Sequence, residues 1–241
     1  PMNGLRRKPL YKTDAHIMID KLPPWVEIGG FFLTFVAGSI NVIGLLGFQH
    51  QAISHLTGVS SFIGYELASG NWSMVLHLNL IVFSFVFGAV LGSLIVRDGH
   101  LLLGRRYGVA LLVESALLFV SLYALTHGST TGHFFAAAAC GLQNAMTTTY
   151  SGAIVRTTHV SGLFTDMGIM MGNWLRGIPI HGRRMKLYFI LTNGFIVGGI
   201  LGAFAYKWWS IRALAMPAII TLILAIAYGL LMLRQRKILG Q

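Results

Sequence analysis

Apolar residues fall into six blocks that reach or approach the length of a bilayer crossing: about 25–47, 73–96, 107–126, 133–150, 187–206 and 211–233. A hydrocarbon core of about 30 Å needs roughly 20 apolar residues of helix. Two further blocks, about 52–69 and 156–175, are more polar, and a glycine interrupts each. After Gly58 only about a dozen helical residues remain, or roughly 18 Å at 1.5 Å per residue, which is too short to cross alone. The pattern predicts an all-α, polytopic integral membrane protein. It has about six spanning helices plus two re-entrant or broken helices.

The two short blocks are copies of each other. His55-Leu56-Thr57-Gly58 returns as His159-Val160-Ser161-Gly162, an offset of 104. Upstream, Ala37-Gly38 and Asn41 match Cys140-Gly141 and Asn144. Downstream, Gly64 matches Gly168, Gly70-Asn71-Trp72 matches Gly172-Asn173-Trp174, and Gly88 and Gly92 match Gly198 and Gly202. This divides a single membrane domain into a first repeat, 25–126, and a second, 133–233. Basic segments 1–24 and 234–241 flank them, and both are expected in the cytoplasm.

Only 10% of the residues are charged and 55% are hydrophobic, against about 25% charged in soluble domains. The formal charge of +11 resides in short basic clusters between apolar blocks. That is the positive-inside pattern rather than a nucleic-acid surface. With eight crossings, six of the 18 basic residues fall outside: Arg97, Arg105, Arg106, Arg156, Lys207 and Arg212. With six crossings and two re-entrant blocks, only Lys207 and Arg212 do. The second topology fits better, and it makes the two repeats inverted. The first 22 residues show no short apolar core with a cleavage site, so the first span is expected to act as its own signal. The single cysteine, Cys140, allows no intrachain disulfide.

Interrupted helices at membrane depth expose backbone groups that lipid cannot satisfy, so these must line a cavity or be buried in protein. Helix amino termini carry free N–H groups and partial positive charge. Thr57 and Ser161 stand where an N-cap is expected, directly before Gly58 and Gly162. His55 and His159 are candidates to bind ligand or carry protons. The plainer role for each is a bond to neighbouring backbone that shapes the turn. Asp166 is a carboxylate at membrane depth, which is costly and usually functional. Its counterpart in the first repeat is Phe62; the plainer role for Asp166 is an ion pair with Arg156 or a basic loop residue. Glu66 reaches water or function near a helix end, and Glu114 pairs with a buried histidine or faces a partner. Arg156 precedes the second short helix and holds either an anion or the topology. Asn41, Asn144 and Gln143 join helices or line the cavity. Gly88-x-x-x-Gly92 and Gly194-x-x-x-Gly198-x-x-x-Gly202 form close-packing faces.

The segments Gly47-Phe48-Gln49-His50-Gln51-Ala52-Ile53-Ser54-His55-Leu56-Thr57-Gly58 and Cys140-Gly141-Leu142-Gln143-Asn144-Ala145 carry a resemblance, together with Ser151-Gly152-Ala153-Ile154-Val155-Arg156-Thr157-Thr158-His159-Val160-Ser161-Gly162. They resemble the YoaK-like family of bacterial inner-membrane proteins, over about 25–233. The resemblance implies a multi-pass protein of the bacterial cytoplasmic membrane, loosely described as exporting small metabolites, with no settled site residues.

The expected function is a secondary transporter of a small polar or anionic metabolite, coupled to protons. His55, Thr57, Gly58, His159, Ser161, Gly162, Asn41, Asn144 and Arg156 would hold the substrate. Asp166, His159, Glu66 and Glu114 would handle protons. A passive channel on the same plan and an intramembrane enzyme using His, Asp and Glu are the alternatives, and a glycine-faced scaffold is a third. No cofactor, metal or nucleic acid is expected; the expected partners are the substrate, the bilayer and a second copy of the chain. No phosphate-cradling loop, Cys/His metal spacing or nucleophile elbow is present.

Overall fold

The computed structural model describes residues 24–47, 54–96, 105–151 and 157–239. Arg97, Arg156, the Gln49-His50-Gln51 cluster and residues 1–23 lie outside them. The described residues are helical: α1 Pro24–Gly47, α2 Leu56–Ala68, α3 Trp72–Ile95, α4 Arg105–Thr126, α5 Gly132–Ser151, α6 Val160–Leu175, α7 Gly182–Trp209 and α8 Ala215–Leu239. A 3-10 turn, Ser210–Leu214, joins the last two. Four segments are long and apolar enough to cross a membrane: Glu27–Gly47, Trp72–Ile95, Arg106–Thr126 and Gly182–Arg234. The last covers both α7 and most of α8. Phe83, Phe87, Phe189 and Ile223 are exposed on the outside of the bundle, as a lipid-facing surface requires.

Glycine sets which helices meet. A Cβ on Gly38 would strike the carbonyl oxygen of Phe195, and one on Gly141 that of Phe85. A Cβ on Gly88 would strike the Ala138 carbonyl, and one on Gly198 the Phe35 carbonyl. Each of these contacts joins one repeat to the other. α1 and α7 lie side by side and parallel, with Gly30 on Leu191, Thr34 on Gly194, Ser39 on Gly202 and Gly47 on Tyr206. α3 and α5 form the matching parallel pair through Gly88 on Ala138 and Gly92 on Leu142. Without side chains at these crossings the backbones approach closely, and dispersion contacts and weak Cα–H···O bonds hold the helices together where lipid supplies no hydrophobic drive.

The two pairs run in opposite directions. Leu33 clusters with Leu142 and Met146, whereas Val36, Ile40 and Ile43 cluster with Ala139 and Cys140. Gln143 Nε2 donates to the Leu33 carbonyl at 2.6 Å across the same contact. α1 is therefore antiparallel to α5, and hence to α3. α4 turns tightly into α5, with Ser121 Oγ donating to the Gly132 carbonyl at 2.7 Å. It packs on α8 through Ser115 Oγ and the Ala218 carbonyl at 2.9 Å.

The two short helices occupy matching places. Val59 of α2 packs with Leu78 and Ile81 in the first half of α3. Leu163 of α6 packs with Leu187, Tyr188 and Leu191 in the first half of α7. With 13 and 16 residues, α2 and α6 extend roughly 20 and 24 Å. Both end in the same turn. Gly70 has φ 73° and Gly177 has φ 81°, the left-handed conformation that glycine adopts without penalty after a helix. The Gly70 and Asn71 N–H groups donate to Leu67 and Glu66, and those of Gly177 and Ile178 to Trp174 and Asn173. This corrects the sequence match. Gly172-Asn173-Trp174 looks like Gly70-Asn71-Trp72 but lies inside α6. The structural counterpart of Gly70 is Gly177, because α6 continues nearly one turn longer.

Candidate functional site

Each short helix is preceded by a tether to the helix before it. Ser54 Oγ donates to Asn41 Oδ1 at 2.7 Å. In the second repeat, Thr157 Oγ1 donates to Asn144 Oδ1 at 2.8 Å, and Asn144 Nδ2 donates to Thr158 Oγ1 at 2.7 Å. Asn144, Thr157, Thr158 and Ser54 are buried. These bonds hold the residues just before α2 and α6 against α1 and α5, while His55 and His159 themselves are exposed.

Histidine begins both helices. His55 is the N-cap of α2, and its Nδ1 accepts from the Gly58 N–H at 3.3 Å. That is the place an Asn or Asp carboxamide or carboxylate oxygen usually fills. His159 holds the N-cap of α6 without a side-chain capping bond. The expectation that Thr57 and Ser161 cap the helices is therefore corrected: both stand two residues after the N-cap and are exposed. In α2 the imidazole of His55 reaches the third N–H, that of Gly58, as a hydroxyl or carboxamide cap would.

The two starts share a cavity of about 400 Å³. His55, Thr57, Ser54 and Asn41 line it from the first repeat, and His159, Ser161 and Thr158 from the second. Phe85 of α3 and Phe195 of α7 also line it. Each of these phenylalanines offers its carbonyl to a glycine of the other repeat, Gly141 and Gly38 respectively. No acidic residue lines the cavity among the described residues. Ser54, Thr158, Phe85 and Phe195 were not singled out from the sequence. The repeat contained the signal: Ser54 and Thr158 directly precede the paired histidines, and both phenylalanines stand three residues before Gly88 and Gly198.

The remaining candidates lie elsewhere. Gly58 and Gly162 are in the first turns of α2 and α6, and Gly58 backs onto the His55 ring. Asn144 is held by Thr157 and Thr158 and does not line the cavity. Asp166 pairs with Arg184, in the basic first turn of α7, at 3.6 Å; Arg156 lies outside the described residues. Arg184 Nε also donates to the Tyr188 hydroxyl at 2.9 Å and lies over that ring. Glu66 accepts from Asn71 Nδ2 at 2.8 Å in the α2–α3 turn. Glu114 is fully buried, and neither carboxylate oxygen has a hydrogen-bond partner. It therefore neither pairs with a histidine nor faces an external partner. His77 and His133 form a further contact, with Nε2 and Nδ1 2.9 Å apart between α3 and α5.

No curated protein and no solved structure matches this chain. Residues 29–227 match the family described as "Protein of unknown function (DUF1275)". A bundle whose helices are apolar enough to cross a membrane, covered over most of its length by that match, belongs to the DUF1275 family.

Proposed function

We propose that the chain is a secondary transporter of a small polar or anionic metabolite, with its substrate site in the cavity between the starts of α2 and α6. One observation carries this reading: matching residues of the two repeats, His55 with His159 and Thr57 with Ser161, line one chamber. Sites of this kind lie where two repeats meet and discontinuous helices end. Helix directions support an inverted, six-crossing arrangement. α1 and α3 run oppositely although α2 lies between them, as happens when α2 enters and leaves on one face. The same holds for α5, α6 and α7. The two short helices then enter from opposite sides, and rocking one parallel pair against the other would alternate access. The narrower YoaK-like resemblance points the same way, toward export across a bacterial inner membrane.

In this reading Asp166, His159, Glu66 and Glu114 are the groups available to couple protons. Asp166 is in reach of a guanidinium and a phenol, so a change in its charge is felt at α7. The test is solute flux in proteoliposomes with and without an imposed pH gradient. Wild type is expected to respond to the gradient and Asp166→Asn to lose the response. An Asp166→Asn variant that still follows the gradient removes Asp166 from coupling. Saturable flux at carrier rates supports transport, and unsaturable flux far above them indicates a channel.

A further inference from the structure

The hydrogen bonds around the cavity have a direction, and it points to the charge of what binds there. We propose that the cavity between α2 and α6 recognises a small anion, through side-chain donors whose acceptor atoms are already engaged within the protein. This rests on the cavity's being the substrate site and narrows the substrate class.

Four observations carry it. Gly58 N–H is shared between the His55 carbonyl at 3.0 Å and His55 Nδ1 at 3.3 Å; with Nδ1 accepting, a neutral ring carries its hydrogen on Nε2. Ser54 occupies Asn41 Oδ1, leaving the two Nδ2 hydrogens of Asn41 as its offer to the cavity. Thr158 Oγ1 accepts from Asn144, so its own O–H must point elsewhere. Thr158 is 8% exposed and lines the cavity, and among the described residues no acceptor takes that O–H. The fourth is the absence of any carboxylate among the described lining residues. The amino-terminal ends of α2 and α6 add partial positive charge of the same sense. A cation would find only hydroxyl oxygens such as those of Thr57 and Ser161 to set against the donors and positive dipole ends; for an anion those same hydroxyls can turn to donate. A cavity of about 400 Å³ is at the small end of ligand sites, which suits a carboxylate or inorganic oxyanion of a few heavy atoms.

Asn41→Asp isolates the claim. The new carboxylate still accepts from Ser54, so the tether survives while the donor becomes a negative acceptor. His55→Asp does the same at the other side, keeping a cap for Gly58 N–H. The full chain, purified in detergent, is titrated calorimetrically with sodium acetate and sodium phosphate at constant ionic strength. Choline and glycerol are the cationic and neutral comparisons. At least one of the two anions is expected to bind, choline and glycerol are not, and either folded variant should weaken the anion at least tenfold. Binding of choline or glycerol in place of both anions, or anion affinity unchanged in a folded variant, overturns the proposal. Flux separates it from the transporter reading. Anion binding as described in a chain that moves no solute removes transport and leaves the site. Flux of glycerol or choline with no anion binding keeps transport and removes the anion.

Discussion

Gly88 of the first repeat lies so close to Ala138 of the second that a methyl group on it would overlap the Ala138 carbonyl oxygen. Gly198 and Phe35 repeat the relationship with the repeats exchanged. The obstruction is backbone, which cannot swing aside. Gly88→Ala and Gly198→Ala should therefore each destabilise the protein by about 1–3 kcal/mol, the range for overpacking. Gly64 of α2 has nothing within 4 Å of its would-be Cβ. Gly64→Ala should be neutral or stabilising by up to about 1 kcal/mol, since alanine is the better helix former. Melting in detergent of the three variants checks the contrast, and a Gly88→Ala protein as stable as Gly64→Ala would refute the packing described.

The asparagine tethers should differ in cost. Asn144 makes two buried bonds, with Thr157 and Thr158, whereas Asn41 makes one and is half-buried. Truncating Asn144 leaves two buried hydroxyls without their partner, at roughly 1–3 kcal/mol for each polar group left unsatisfied. Asn144→Ala is thus expected to melt lower than Asn41→Ala, and the order of the two melting temperatures decides it.

Glu114 is a carboxyl group with no partner in an apolar interior. A buried polar group left without a hydrogen bond costs roughly 1–3 kcal/mol, and an apolar residue of similar volume removes that cost. Glu114→Met is accordingly expected to match or exceed the wild-type melting temperature and to lose the response of flux to a pH gradient. A variant that melts lower and transports normally would make Glu114 a structural residue.

The Asp166–Arg184 pair is partly exposed, with side chains 43% and 27% accessible. Pairs of this kind contribute little, typically under about 1 kcal/mol. Asp166→Asn should leave melting nearly unchanged, so that any loss of coupling in that variant is functional rather than a loss of fold.

The opposite directions of α1 and α3 put the turns after α2 and α6 on opposite faces, and the positive-inside expectation assigns the first to the outside. Ser69 and Ile178 are exposed, beside the matching turns after α2 and α6. With Cys140 replaced, Ser69→Cys should react with an impermeant maleimide from outside only, and Ile178→Cys from the cytoplasm only. Labelling of both from one face would end the inverted reading.

Much of this protein is legible in the residue order because the signals are local. Apolar blocks of sufficient length mark the long helices, and His-x-Thr/Ser-Gly marks where two others begin late. The duplication shows as identical letters at a nearly constant offset. Even α7, which starts at Gly182 rather than near 187, differs only at a basic first turn that hydropathy does not see. What needed the tertiary structure is non-local. Which glycine faces which carbonyl depends on how α1 crosses α7 and α3 crosses α5, and no spacing within one helix encodes that. The partner of Asp166 was decided the same way, because Arg184 is close only once α6 folds back on α7. The cap passed to His55 because an imidazole reaches the Gly58 N–H, and Gly172 proved a false counterpart because α6 extends past it. The chamber itself belongs to neither repeat: Ser54 and His55 line it from the first and Thr158 and His159 from the second, and only the crossing of helices from both repeats brings them together.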